Sequence, residues 1–151
     1  MSERIDFNQV APAGMKALGG VYHYLTQTDL PLPLLELVFL RISQINGCAY
    51  CIDMHSKALH KADVSWDKIV LTAVWNESGN LFSDREKAAL RWAECLTLIA
   101  SAGAPDEDYA ALQACFSDKE IVDLNIAIGL MNTYNRMAIS LKKLPASVSG
   151  Q

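Results

Sequence analysis

The chain has no excess of positive charge: its 151 residues include 13 Lys and Arg against 17 Asp and Glu, a formal net charge of -4. Nucleic-acid binding relies on basic stripes that neutralise phosphates, so nucleic acid is not an expected partner. Long hydrophobic runs are also missing. Glu36, Arg41 and Asn125 interrupt the most apolar segments before they approach the ~18 uninterrupted residues of a membrane span, and no membrane partner is expected. The opening residues, Met1 to Phe7, lack the basic start and apolar run of a secretory signal, so the reading is cytoplasmic. Alternating apolar and polar runs between hairpin turns are absent as well, which excludes a substantial β-sheet and leaves an all-α fold. Cysteine is sparse, at four residues. In a reducing compartment such a number speaks for catalytic or metal chemistry rather than a stapled scaffold.

What is present is ordinary for one soluble domain: 51% hydrophobic and 20% charged residues, with no internal repeat or low-complexity block. Residues 1–144 read as a single helical domain and 145–151 as a small, polar, flexible tail. A first helix starts near Pro12, a favoured first-turn residue, and presents Met15, Leu18, Val21, Tyr22 and Leu25 before Pro31 and Pro33 stop it. Residues 34–46 are apolar on nearly all sides, the pattern of a buried helix, with Glu36 and Arg41 as exceptions. Gly47 ends that helix, and another runs from about Cys48 to Ala62. Further helices are expected over 65–76, 83–100 and 105–116, and from Ser117 or Asp118 to about Lys142. Ser83-Asp84-Arg85-Glu86 and Ser117-Asp118-Lys119-Glu120 both fit the capping box, in which two side chains satisfy otherwise orphaned amides.

The chemistry concentrates in Gly47-Cys48-Ala49-Tyr50-Cys51-Ile52-Asp53-Met54-His55. On a helix, residues three apart have Cα atoms roughly 5 to 5.5 Å apart, inside the window for a disulfide, so the thiol pair can open and close with little backbone motion. At about 100° per residue, Cys48, Cys51 and His55 share one helix face. A helix N-terminus favours the thiolate, the form that attacks disulfides and peroxides, and His55 stands one turn beyond Cys51. Glu36, in the preceding apolar helix, is either a proton-transfer group or half of an ion pair with Arg41 or another arginine. Two antiparallel helices joined by a short turn can bring it beside the thiol helix.

A Cys-x-x-Cys pair alone serves zinc sites, disulfide exchangers and iron-sulfur clusters alike. Zinc is disfavoured because Cys95 and Cys115 are isolated and read as core residues. Cys48 and His55 are also roughly 10.5 Å apart along one helix axis, a long reach to a shared ion. His23 and His60 read as surface or helix-end residues outside the site.

Taken together, Glu36, Cys48, Cys51 and His55, at spacings of eleven, two and three intervening residues, resemble the alkylhydroperoxidase D (AhpD)-like family of the carboxymuconolactone decarboxylase superfamily. The resemblance extends to residues 82–90 and to Asn132-Thr133-Tyr134-Asn135-Arg136. It implies a helical-bundle protomer that assembles into a homotrimer or homohexamer, and a peroxidase that reduces organic hydroperoxides or hydrogen peroxide with electrons from a dithiol or protein reductant. It further implies Cys51 as the peroxidatic residue, Cys48 as the resolving one, and Glu36 and His55 as the proton relay, with no metal or organic cofactor required. One departure stands out: Tyr50 occupies the place where peroxidases of this family can carry a histidine between the cysteines. The alternatives are disulfide exchange with a protein partner and a non-enzymatic redox-sensing module. Asn135 and Arg136 are candidates for lining the site or joining subunits, and equally for buried hydrogen bonding.

Overall fold

A computed structural model describes residues 2–148; the expected tail residues 149–151 lie outside them. Among the described residues the chain forms nine α-helices and no strand: α1 (Phe7–Val10), α2 (Pro12–Leu25), α3 (Leu32–Asn46), α4 (Ala49–Lys61), α5 (Trp66–Leu71), α6 (Asp84–Thr97), α7 (Ile99–Ala102), α8 (Asp106–Gln113) and α9 (Asp118–Ser140). A 3-10 segment, Thr72–Glu77, follows α5. None of these helices is long and apolar enough to cross a membrane.

α3 is the axis of the bundle, because a helix that is apolar all round must be covered all round. It packs against α4, α6 and α9. Leu35, Val38, Phe39 and Ile42 point into one core with Leu25 of α2, Trp92 of α6, Leu112 of α8 and Leu124 and Ile128 of α9. Leu37 and Leu40 serve a second core with Leu59, Ile69, Phe82 and Leu90. Each such fully buried side chain contributes about 1.5–3 kcal/mol of apolar burial.

The helix boundaries follow local chemistry, with four departures from expectation. α3 begins at Leu32, with Pro33 inside its first turn; a proline there lacks only an amide that the helix would leave unpaired. The helix expected over 65–76 breaks after Leu71 into the 3-10 segment, where Val74 has non-helical dihedrals of φ -130° and ψ 35°. The helix expected over 83–100 is interrupted at Leu98, whose φ of -103° and ψ of 28° separate α6 from α7. The short α1, capped by the Asp6 carboxylate, was not expected at all. Both capping boxes form as anticipated, Ser83 with Glu86 and Ser117 with Glu120.

The reversal between α3 and α4 matters most for the site. Gly47 adopts φ 71° and ψ 34°, a left-handed conformation that glycine reaches without strain. Its amide donates to the Gln44 carbonyl and the Cys48 amide to the Ser43 carbonyl at 2.9 Å, closing the end of α3. Cys48 is then the N-cap of α4 rather than its first helical residue.

Candidate active site

Cys48 and Cys51 are joined as a disulfide, with Cα atoms 5.3 Å apart, the separation expected from one turn of chain. The Cys51 amide donates to the Cys48 sulfur at 3.3 Å. That contact is the usual bond from an N-cap side chain to a first-turn amide, made here by sulfur. Cys48 and Cys51 are only 1% and 2% exposed, and Ala138 of α9 packs over them with Tyr50 at the margin.

α3 supplies Glu36 and α4 supplies His55, and the Gly47 reversal brings the two together. Glu36 Oε2 lies 2.7 Å from His55 Nδ1, and the residues are 5% and 3% exposed. Arg41 is not the partner of Glu36: its Nε donates to Glu94 Oε1 at 2.7 Å, where the Trp75 indole also donates. The second Glu36 oxygen faces the Tyr22 hydroxyl at 3.5 Å. Burial, and then the Glu36 carboxylate, push the Tyr22 phenol above its ordinary value of 10.0. The His55 ring is backed by Phe39, centroid to centroid 5.3 Å, so the imidazole is held on one side by charge and on another by an aromatic wall. Bonding Nδ1 to a carboxylate places the N–H on Nδ1 in the neutral ring and leaves Nε2 as the acceptor. Nε2 is buried and has no hydrogen-bond partner among the described residues.

Cys51, His55, Glu36 and Tyr22 line one cavity of about 380 Å³. Its remaining walls are mostly apolar and come from the N-terminal segment (Phe7), α2 (Met15), α4 (Met54) and α9 (Met131, Tyr134). Burial pushes the Tyr134 phenol above 10.0 as well. Cys48 does not line this cavity, so a molecule inside it meets Cys51 first. The four candidate residues from the sequence therefore form one cluster. Tyr22, Tyr134 and Phe7 were missed as lining residues. Tyr22 read only as part of an apolar helix face, and nothing in a single sequence pairs that face with α4.

The other candidates fall elsewhere. His23 is exposed near the end of α2, and the exposed His60 packs against Trp66 at 5.4 Å. Cys95 is buried, its thiol facing Asp108 at 3.3 Å, and Cys115 is half-buried. Asn135 is fully buried, accepting from Asn46 at 2.9 Å and donating to Ser43 at 3.1 Å, a structural role that ties α9 to the end of α3. Arg136 is exposed and donates back to Asn132. Among the described residues no group of three or more His, Cys, Asp or Glu side chains gathers as metal ligands would.

Comparison with known proteins agrees with this geometry. The model of the Carboxymuconolactone decarboxylase family matches residues 12–94, more than half of the chain. An uncharacterised protein of Bacillus subtilis, YdfG, is 37% identical over 147 residues, covering 97% of this chain and 99% of that one. The crystal structure of ATU0492 from Agrobacterium tumefaciens, a protein of unknown function provisionally described as the antioxidant defence protein AhpD, superposes with a TM-score of 0.92. It is 38% identical, with 95% of this chain and 98% of that one covered. An uncharacterised peroxidase-related protein from Silicibacter sp. TM1040 follows at a TM-score of 0.77 and 25% identity, covering 90% of this chain and 72% of that one. Matched over most of its length in sequence and fold, the chain belongs to the carboxymuconolactone decarboxylase family, among its AhpD-like members.

Proposed function

We propose that the protein is a thiol peroxidase that reduces organic hydroperoxides, and hydrogen peroxide less well, through a dithiol/disulfide cycle of Cys48 and Cys51. The observation that supports this most is the buried Glu36–His55 pair beside Cys51 on one cavity, with His55 Nε2 left unpartnered. A buried polar atom without a partner is costly, and such atoms concentrate where chemistry supplies the partner.

In the proposed cycle His55 Nε2 takes the Cys51 thiol proton, and Glu36 stabilises the resulting imidazolium. The Cys51 thiolate attacks the terminal peroxide oxygen; an S–O bond forms, the O–O bond breaks, and the leaving alkoxide takes the proton from His55 to depart as an alcohol. Cys51 has lost two electrons and is a sulfenic acid. The Cys48 thiolate then attacks the Cys51 sulfur. The S–S bond forms, the S–O bond breaks, and hydroxide leaves as water with the proton released from Cys48. An external dithiol returns two electrons and two protons by exchange, ending as its own disulfide. The apolar walls favour a peroxide with a hydrocarbon body, since burying each CH₂ contributes about 0.8 kcal/mol.

A dithiol reductant, a homo-oligomeric assembly and a cytoplasmic setting belong to the same proposal. The test is stopped-flow oxidation of the reduced protein by cumene hydroperoxide and by hydrogen peroxide, with mass spectrometry of the product. Second-order oxidation giving the Cys48–Cys51 disulfide, faster with cumene hydroperoxide and abolished in Cys51→Ser, is expected. Oxidation no faster than that of an unstructured cysteine peptide would falsify the reading. Disulfide exchange would then be the activity to measure, with a reduced protein dithiol in place of peroxide.

A further inference from the structure

The cavity that exposes Cys51 is walled on one side by residues with little holding them down. Phe7 and Asn8 of the N-terminal segment line it together with Cys51 and His55, yet α1 contributes no buried residue, and Val10 at its end is 73% exposed. Segments with few buried apolar contacts open at low free-energy cost.

The segment is fastened instead by polar links to the end of α9 and the residues just after it. The Arg4 amide donates to the Leu141 carbonyl at 2.9 Å, and the Arg4 guanidinium donates to the Ser140 carbonyl at 3.0 Å. Lys143 Nζ pairs with Glu3 at 3.0 Å. The same ammonium sits 5.6 Å from the centroid of the Phe7 ring, a cation–π distance. Lys143 thus holds both the start of the strap and the aromatic ring that faces the cavity. Cys51, 2% exposed, lines the same cavity as that ring.

We propose that residues 3–11 form a releasable strap over the thiol cavity, and that Phe7, held by Lys143, sets the size of molecule admitted to Cys51. With the strap seated, compact molecules reach the sulfur. With it lifted, the cavity loses the Phe7 wall and accepts bulkier reagents, including the dithiol that must approach the disulfide. This inference concerns access to the site proposed above and rests on Cys51 being the thiol that the cavity serves.

The experiment is alkylation of the fully reduced full-length protein, which needs no peroxide turnover. Labelling of Cys51 by iodoacetamide and by pyrenyl maleimide is followed by peptide mass spectrometry, with Cys95 as the internal reference and amide exchange over residues 5–10 reporting strap release. In Phe7→Ala, pyrenyl labelling of Cys51 is expected to rise about tenfold, the scale of one lost aromatic wall. In Lys143→Gln and Glu3→Gln it is expected to rise about two- to fivefold, the scale of an exposed ion pair. Iodoacetamide labelling changes by less than about twofold in all three, because the small reagent already passes the seated strap. Salt at ~1 M should raise wild-type pyrenyl labelling and leave Lys143→Gln unchanged. An unchanged ratio of pyrenyl to iodoacetamide rates with faster amide exchange in the strap overturns the proposal, as does a parallel rise at Cys95. A protein inert to peroxide can still show this size selection, so the two readings fail separately.

Discussion

Glu36 Oε2 stands 2.7 Å from His55 Nδ1 across the α3–α4 contact, in an interior where both residues are at least nineteen-twentieths buried. A carboxylate in that position fixes the ring's orientation and tautomer. Glu36→Gln keeps the shape and removes the charge. Oxidation of Cys51 by cumene hydroperoxide at pH 7 is expected to slow by about 100-fold, the lower range for loss of acid–base assistance. Sulfenic-acid trapping during stopped-flow mixing measures it, and circular dichroism checks the fold. A rate within twofold of wild type would remove Glu36 from the relay.

Tyr50, half-buried at the edge of the disulfide, lines the cavity with a phenol. Tyr50→His places an imidazole there with an ordinary pKa of about 6.5. Peroxide oxidation of Cys51 is expected to accelerate by about tenfold above pH 7, with a new inflection in the pH–rate profile near that value. A profile superimposable on wild type would show that His55 alone already saturates the need for a base.

Asn135 is fully buried and joins Asn46 to Ser43, whose hydroxyl in turn donates to the Phe39 carbonyl at 2.7 Å. Asn135→Ala takes the donor away from the fully buried Ser43 hydroxyl and leaves the half-buried Asn46 amide with Asn132 alone, at 3.0 Å. A loss of about 1–3 kcal/mol is expected, read as a lower urea midpoint at unchanged slope. Peroxide reactivity is expected to hold at concentrations of urea where the variant remains folded.

Glu120 is the N3 residue of the α9 capping box. The Ser117 amide first, and then the Arg85 guanidinium, hold its carboxyl below the ordinary value of 4.5. A folded pKa below the unfolded one gives stability that is present above the unfolded pKa and lost as pH falls through the folded value. Acid unfolding below about pH 4.5 is therefore expected to draw partly on this group. Glu120→Gln should lower stability at pH 7 and flatten that acid limb. Thermal melts between pH 3 and 7 measure both; an identical acid limb in the variant would count against the assignment.

Much of this arrangement was readable because the relevant forces are local. The two capping boxes place the starts of α6 and α9 from four residues each. The all-apolar pattern of 34–46 identifies α3 as the buried axis, and glycine at 47 marks the reversal that pairs Glu36 with His55. The 3-10 segment is not readable, since no glycine or proline lies in Thr72–Glu77 to mark the bend at Val74. The strap was missed for a related reason. Only Asp6 signals α1, and what seats Phe7 is Lys143, 136 positions away in the chain. The sequence leaves the partner of Glu36 open between an arginine and His55, and only packing decides it.

The disulfide spans a single turn at the start of α4, and this has a bearing on durability. Cross-links restrict an unfolded chain by an amount that grows with the logarithm of the loop they close, and a ring of four residues contributes only about 2 kcal/mol by chain entropy, against nearly 5 for one a hundred residues long. By the same relation, opening this bond lowers the melting temperature by less than opening a long-range cross-link would. In the cycle proposed for this pair, the reduced form is therefore only modestly less heat-tolerant than the oxidised one, whereas a cross-link between distant parts of the chain would set the two forms further apart.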